Sequence, residues 1–184
     1  DRSQFQNDWI AANEPGIYMS MGETAERVRE KYGITREEMD RFAVNSHAKA
    51  ARAQDAGWFD SQIIPLPGVD IDGKPIVFTK DQGIRRGTNL ETLSQLKPCF
   101  RENGTVTAAT SSQTSDGASF VVLMSAQRAR ELGLNPIAKF IGFAAVGCDP
   151  ALMGLGPIYA VPKVMEMTGL TVDDMDVINA VTKV

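Results

Sequence analysis

Apolar β-rich runs alternate with helix-start signals through the second half of the chain, and this alternation restricts the fold more than any other feature. Ser119–Met124 is a β-rich run of the kind that is buried in a sheet. Ser125 follows it as an N-cap for a helix to Leu132, and Gly133 closes that helix. Ile137–Val146 is a second long strand candidate. Gly156-Pro157 then opens a helix to about Gly169, with the proline where a missing N–H costs little, and Asp176–Val181 reads as a further strand. Strands and helices that alternate in this way point to an α/β fold.

The first half is built differently. A polar stretch to about Gly22, punctuated by Asn13, Pro15 and Gly16, reads as a loop. A helix follows from Glu23 to Tyr32 and stops at Gly33. Thr35-Arg36-Glu37-Glu38 is a capping box that starts a longer helix, with Met39, Phe42, Ala43, Ser46, Ala50 and Ala53 on one face and Gly57 as its stop. Gln62–Leu66 and Pro75–Phe78 are short apolar runs suited to strands. Thr88-Asn89-Leu90-Glu91 is a second capping box, before a short helix that ends near Leu96 and Pro98.

Composition removes several function classes. A hydrophobic content of 43% is that of an ordinary globular core, and a net charge of −4 argues against neutralising many nucleic-acid phosphates. No run approaches the ~18 apolar residues of a spanning helix, and the start has no signal-peptide pattern, so a soluble protein is expected. Cys99 and Cys148 are the only cysteines and form no metal-ligand spacing. A reduced, cytoplasmic compartment and no metal site are expected.

Two segments carry candidate chemistry. Gly104–Gly117 is a run of small and hydroxyl residues leading into the Ser119–Met124 strand. Small side chains let a ligand approach the backbone, and hydroxyls supply rotatable donors and acceptors. By composition alone the same run is also a Ser/Thr-rich turn closed by Asp116-Gly117. Lys80, Arg85, Arg86, Lys97 and Arg101 form a basic cluster in an otherwise acidic chain. Guanidinium forks pair bidentately with phosphate, and solvated surface charge explains the cluster equally well.

The remaining reactive residues have plainer readings. His47 has no second ligand or nucleophile at a working spacing and reads as a half-buried helix histidine. Cys148 stands at a strand end without a base nearby and reads as a packed thiol. Glu37/Glu38 and Asp173/Asp174 stand at helix starts, where the helix dipole explains them.

Taken in order, Met21-Gly-Glu-Thr-Ala-Glu26, Ile34-Thr-Arg-Glu-Glu-Met-Asp40 and Ser46-His-Ala-Lys-Ala50 resemble successive landmarks of the thiolase family. So do Leu96-Lys-Pro98, Gly104-Thr-Val-Thr-Ala108, Ser115-Asp-Gly-Ala118 and Met153-Gly-Leu-Gly-Pro157. They run with family order and spacing from about Tyr18 to Asp176. The resemblance implies two similar βαβαβ halves in a layered α/β/α/β/α core, with a loop domain inserted in the first half. Only part of that core is expected here: loop domain over 1–114, the end of the first half over 115–135 and the beginning of the second over 136–184.

The resemblance also implies a coenzyme A site in the loop domain, with coenzyme A and acyl-CoA as substrates and no permanently bound cofactor. Arg85 resembles the arginine that lies against the nucleotide end, and Ser112 the serine that hydrogen-bonds the pantetheine arm. Phe100 and Ala108 match neighbouring wall positions, and Met21 and Met153 match methionines near the thioester, where flexible thioethers shape an acyl pocket. Family members form dimers and tetramers.

Ser20 stands where biosynthetic thiolases usually carry a histidine, and Ser111-Ser112-Gln113 where they carry Ala-Ser-Gly. Both departures tilt the expectation toward a degradative 3-ketoacyl-CoA thiolase of β-oxidation. The alternatives are a biosynthetic acetoacetyl-CoA thiolase and a noncatalytic thiolase-like protein that binds acyl-CoA or lipid. Val181-Thr-Lys-Val184 occupy the register of the family's Asn-Glu-Ala-Phe motif, so the motif asparagine is absent there. The family mechanism requires a nucleophilic cysteine, expected upstream of Asp1, and a histidine and second cysteine, expected downstream of Val184. No catalytic residue is therefore expected in the chain, and the 184-residue polypeptide alone is expected not to catalyse thiolysis.

Overall fold

The structure is a computed structural model that describes residues 6–179. The described residues fall into two compact units. One runs over Ser20–Gln113, and the other comprises the residues up to Met19 together with those from Thr114 onward.

The Ser20–Gln113 unit is organised by two helices, α2 (Met21–Tyr32) and α3 (Arg36–Asp55), both numbered after a short α1 (Asp8–Asn13) in the other unit. Ser20 caps α2 by accepting the Glu23 N–H, and Gly33 closes it at φ 66°. Thr35 and Glu38 form the anticipated capping box of α3, the Thr35 N–H donating to Glu38 Oε2 at 2.7 Å. The buried face of α3 is turned from the expected one. Asp40 and Ala43 are buried while Phe42 is 77% exposed. Arg36 fixes this rotation, because its guanidinium bridges Asp40 to the carbonyls of Leu93 and Leu96 around α4 (Leu90–Ser94).

A hairpin joins α3 to the later loops. Strands β1 (Leu66–Val69) and β2 (Pro75–Phe78) pair antiparallel with Leu66 opposite Phe78. The first strand lies four residues later than Gln62–Leu66 because Asp70 fixes the turn, accepting N–H bonds from Asp72 and Lys74. The cap of α4 also differs. Asn89, not Thr88, accepts the Thr92 N–H, while the Thr88 hydroxyl donates to the Arg85 carbonyl.

In the other unit, Asn7 caps α1 by accepting from Trp9 and Ile10, so part of the expected opening loop is helical. A 3-10 turn over Pro15–Tyr18 lies against Pro150 and Ala151, which begin a second 3-10 run, Pro150–Leu155. Helices α5 (Ala126–Glu131) and α6 (Gly156–Thr168) stand where expected, α5 capped by Ser125.

The strands expected over Ser119–Met124 and Ile137–Val146 do not form among the described residues. A strand exists only with a neighbour that takes its N–H and C=O groups, and neither run has a backbone hydrogen bond to another segment among the described residues. Phe120, Val121, Val122 and Leu123 are accordingly exposed. From Ile141 to Cys148 every second residue is half-buried, starting with Gly142, which meets the side chains of Thr168 and Val164 on α6. Residues 176–179 form no strand, and the remainder of the Asp176–Val181 expectation, like the Val181–Val184 register, lies outside the described residues.

Candidate coenzyme A site

Two loops of the Ser20–Gln113 unit carry most of the candidate residues, and each is fastened to one of the long helices. The loop of residues 81–88 is fastened to α3. His47, Gln54 and Asp55 recur at a spacing of seven and eight residues and therefore share one face of the helix. His47 Nδ1 accepts the Arg85 N–H at 3.2 Å, Gln54 Nε2 donates to the Asp81 carbonyl at 3.1 Å, and Arg86 forks onto Asp55 at 2.8 and 2.9 Å. The Arg86 hydrogen bond holds the Asp55 carboxyl below the usual carboxylate range.

The division of labour between the two arginines is clear. Arg86 is consumed by Asp55 and Gln54, whereas the exposed Arg85 guanidinium has no hydrogen bond or ion pair among the described residues. Arg101, also in the basic cluster, is consumed as well. It donates to Glu23 at 2.6 Å and pairs with Glu30, and the Glu23 bond drives its pKa up and that of Glu23 down. The expected five-residue cationic patch therefore loses two members to structural ion pairs and keeps Lys80, Arg85 and Lys97.

The second loop, residues 99–113, is fastened to α2 through Glu26. This carboxylate is 1% exposed, and it accepts the N–H groups of Thr105 (2.5 Å) and Val106 (2.7 Å) and the Thr105 hydroxyl (2.7 Å). Burial pushes the Glu26 carboxyl up, but the Val106 amide and the Thr105 hydroxyl and amide outweigh it and hold the group below the usual range. Gly104 makes the approach possible, since a Cβ there would lie 2.5 Å from Glu26 Oε1.

Beyond Val106 the loop is bound to itself. The Cys99 N–H donates to the Val106 carbonyl at 3.0 Å, and the Thr107 N–H donates to Thr110 Oγ1 at 3.0 Å. The Ser111 hydroxyl closes onto the Thr107 carbonyl at 2.8 Å. A 3-10 turn, Ala108–Thr110, results, and it presents Ala108 and then Ser112 at the surface. Phe100, half-exposed, lays its ring on Gly22 of α2, where an added Cβ would stand 2.1 Å from the ring.

The two loops also meet. Gly83 faces the Gln113 side chain, whose amide would be 3.1 Å from a Cβ at that position. Arg85 and Ser112, two and one residues from that contact, thus belong to adjoining loops of one compact unit. Met21 stands exposed in the first turn of α2. Met153 is exposed in the Pro150–Leu155 run of the other unit.

Sequence reading missed the two fastening devices. Glu26 appeared only as a letter of a motif, although its i, i+4 relation to Gly22 places it on the helix face that meets the loop. His47, read as a half-buried helix histidine, is half-buried and also fixes the Arg85 backbone. Among the described residues no cysteine is set up as a nucleophile. Cys99 is exposed with only the Lys97 carbonyl 3.7 Å away, and Cys148 is half-buried. Among the described residues no group of His, Cys, Asp and Glu is placed to hold a metal ion, and no helix is long and apolar enough to cross a membrane.

The chain matches the family model "Thiolase, N-terminal domain" over residues 9–127 and "Thiolase, C-terminal domain" over 134–182. It is 45% identical over 174 residues to a 3-ketoacyl-CoA thiolase of Bacillus subtilis, covering 90% of this chain and 44% of that protein. Among solved structures it is similar to the Bacillus anthracis acetyl-CoA acetyltransferase, with a TM-score of 0.76 and 43% identity, over 86% of this chain and 40% of that one. It is also similar to the dimeric peroxisomal thiolase of Saccharomyces cerevisiae, with a TM-score of 0.80 and 37% identity, over 94% of this chain and 44% of that one. The chain thus spans about two fifths of the length of the curated relatives it matches.

Proposed function

Since the chain belongs to the thiolase family and has its α/β fold in part, we propose that the protein containing it is an acyltransferase acting between 3-ketoacyl-CoA and coenzyme A. In that protein the Ser20–Gln113 unit binds the coenzyme A moiety. The observation that carries this reading is the meeting of the two loops at Gly83 and Gln113, with Arg86 anchored and the adjacent Arg85 guanidinium left for a phosphate.

On this reading Arg85 pairs with the nucleotide phosphates and the Ser112 hydroxyl bonds an amide of the pantetheine arm. Phe100 and Ala108 form the wall between them, and Met21 stands toward the acyl end. None of these residues performs the covalent step. A cysteine thiolate attacks the 3-keto carbonyl, the C2–C3 bond breaks to release acetyl-CoA as its enolate, an acid supplies that enolate's proton, and coenzyme A then takes the acyl group from the cysteine. No basic side chain hydrogen-bonds Cys99 or Cys148 among the described residues, and His47 Nδ1 is occupied by the Arg85 amide.

The direction we assign is degradative, thiolysis in β-oxidation, in line with Ser20 and Ser111-Ser112-Gln113. The similarity to an acetyl-CoA acetyltransferase favours the condensation as the second reading. Activity of the complete enzyme on short against long 3-ketoacyl-CoA separates the two. The similar yeast thiolase is dimeric, which supports a homo-oligomer, a dimer or tetramer, and the cysteine usage and resemblance support the cytoplasm, or an organelle matrix in a eukaryote, as its place.

The direct test is calorimetric titration of the complete protein with coenzyme A. Arg85→Ala and Ser112→Ala should each weaken binding about tenfold, the loss of one charge-assisted or neutral hydrogen-bond set. Unchanged affinity in both variants would remove the assignment.

A further inference from the structure

We propose that Glu26 is the positioning residue for the pantetheine side of the coenzyme A site, an inference that rests on the placement of Ala108 and Ser112 in that site. A carboxylate that is 1% exposed is costly to keep ionised unless its lone pairs are filled. Three donors fill those of Glu26, and all belong to Thr105 and Val106. The Arg29 guanidinium stands 3.7 Å from Oε2, at the edge of an ion pair.

From these bonds an unbroken series runs to the ligand-facing residues. Val106 is fixed on both sides, its N–H by Glu26 and its carbonyl by the Cys99 N–H. Thr107, fully buried, accepts from both Thr110 and Ser111, and Ser112 is the next residue. Among the described residues Glu26 supplies the side-chain hydrogen bonds that hold Thr105 and Val106 from outside the loop, while α3 packs against Ala108–Thr110. Phe100 touches α2 at Gly22, and Arg101 bonds Glu23 and Glu30, but both lie on the 99–103 side of the loop. Removing the Glu26 carboxylate therefore loosens Thr105–Thr107, onto which Thr110 and Ser111 close, while leaving the 99–103 anchor and the packing on α3 in place.

The loop bearing Arg85 touches this one at Gly83 and Gln113, but its own hydrogen bonds to His47, Gln54 and Asp55 of α3 do not involve Glu26. Glu26 should accordingly govern affinity for the pantetheine arm and not for the nucleotide. A general loss of stability would not divide the ligand in this way.

The experiment uses the complete thiolase polypeptide that carries this sequence, titrated separately with coenzyme A and with its phosphoadenosine diphosphate half, which lacks the pantetheine arm. For Glu26→Ala we expect coenzyme A Kd and KM to rise about tenfold, with the affinity for the nucleotide half and the kcat at saturating coenzyme A within about threefold of the parent. Glu26→Gln, whose amide oxygen still accepts both N–H groups, should restore Kd to within about threefold.

Thr105→Val, which removes only the hydroxyl bond to Oε2, should give an intermediate rise of about threefold and decides the matter if Glu26→Ala does not fold. The proposal is overturned if the variants lower Tm while coenzyme A Kd stays unchanged, or if both ligands weaken equally. Arg85→Ala and Ser112→Ala in the same series keep the failures apart. If those two leave coenzyme A binding intact, the site itself is misplaced; if they weaken it and the Glu26 and Thr105 variants do not, Glu26 alone is misassigned.

Discussion

Gly104 is the residue on which the second loop turns. A Cβ there would meet Glu26 Oε1 at 2.5 Å and the Arg101 carbonyl at 2.9 Å, and the carbonyl cannot swing away. Gly104→Ala should therefore cost about 1–3 kcal/mol in urea unfolding, the range for overpacking a tight site. A cost below ~0.5 kcal/mol would mean the loop yields easily. Glu26 also sets an acid dependence. Its folded pKa is lowered, so its contribution is fully present above the unfolded carboxyl value of about 4.3 and is lost as pH falls through the lower folded value. Urea midpoints measured downward from about pH 5 should fall more steeply for the parent than for Glu26→Gln. Parallel curves would show that other carboxylates dominate. The sequence offered the Gly104–Gly117 run and the basic cluster as candidates because small, hydroxyl and guanidinium groups advertise their chemistry, and the family resemblance singled out Ser112 and Arg85 within them. It offered no sign that Glu26 is buried, since a glutamate on a charged helix looks like any solvated one until the partner 79 residues away is in place.

At the level of helices and strands, the signals that were readable are those completed within four residues. Thr35 with Glu38 and Ser125 with Arg128 form as their spacing requires. Thr35→Ala should consequently lower stability by about 1 kcal/mol, and thermal unfolding of the Thr35→Ser variant should stay close to the parent. Where two caps compete locally, pattern was not enough. Asn89 displaced Thr88 because the Thr88 hydroxyl is engaged by the Arg85 carbonyl. The rotation of α3 was equally hidden, because Arg36 finds its second partners at Leu93 and Leu96, beyond the helix. The fastening of residues 81–86 to α3 gives a further expectation. Gln54→Ala with Asp55→Ala should speed amide hydrogen exchange at Gly83 to Arg86 while leaving Thr105 and Val106 protected. Equal loss of protection in both loops would mean that they are one cooperative element.

Considered entire, the described chain has a small apolar interior and a large apolar surface. Ala43, Leu93, Val106, Ala129, Ala151 and Leu155 are its buried hydrophobic residues, while Phe120 to Leu123 are at least 77% exposed. Extended apolar runs without hydrogen-bonding neighbours are templates for other strands. The 184-residue polypeptide should therefore self-associate as its concentration rises, which sedimentation would detect, and Val122→Lys should reduce this. A monomer at all concentrations would show that these runs are covered. This is also why the α/β class was legible and the sheet was not: alternation along the chain marks which segments are strands, whereas a ladder needs a partner that alternation does not supply. The Glu26 bonds have a consequence in time as well as in space. They join residues 79 and 80 positions apart, so they cannot form until the intervening hairpin and helices have brought both ends together. Removing them should hasten unfolding and hardly touch the rate of folding, making the loop of residues 99–113 the last part of its unit to take shape.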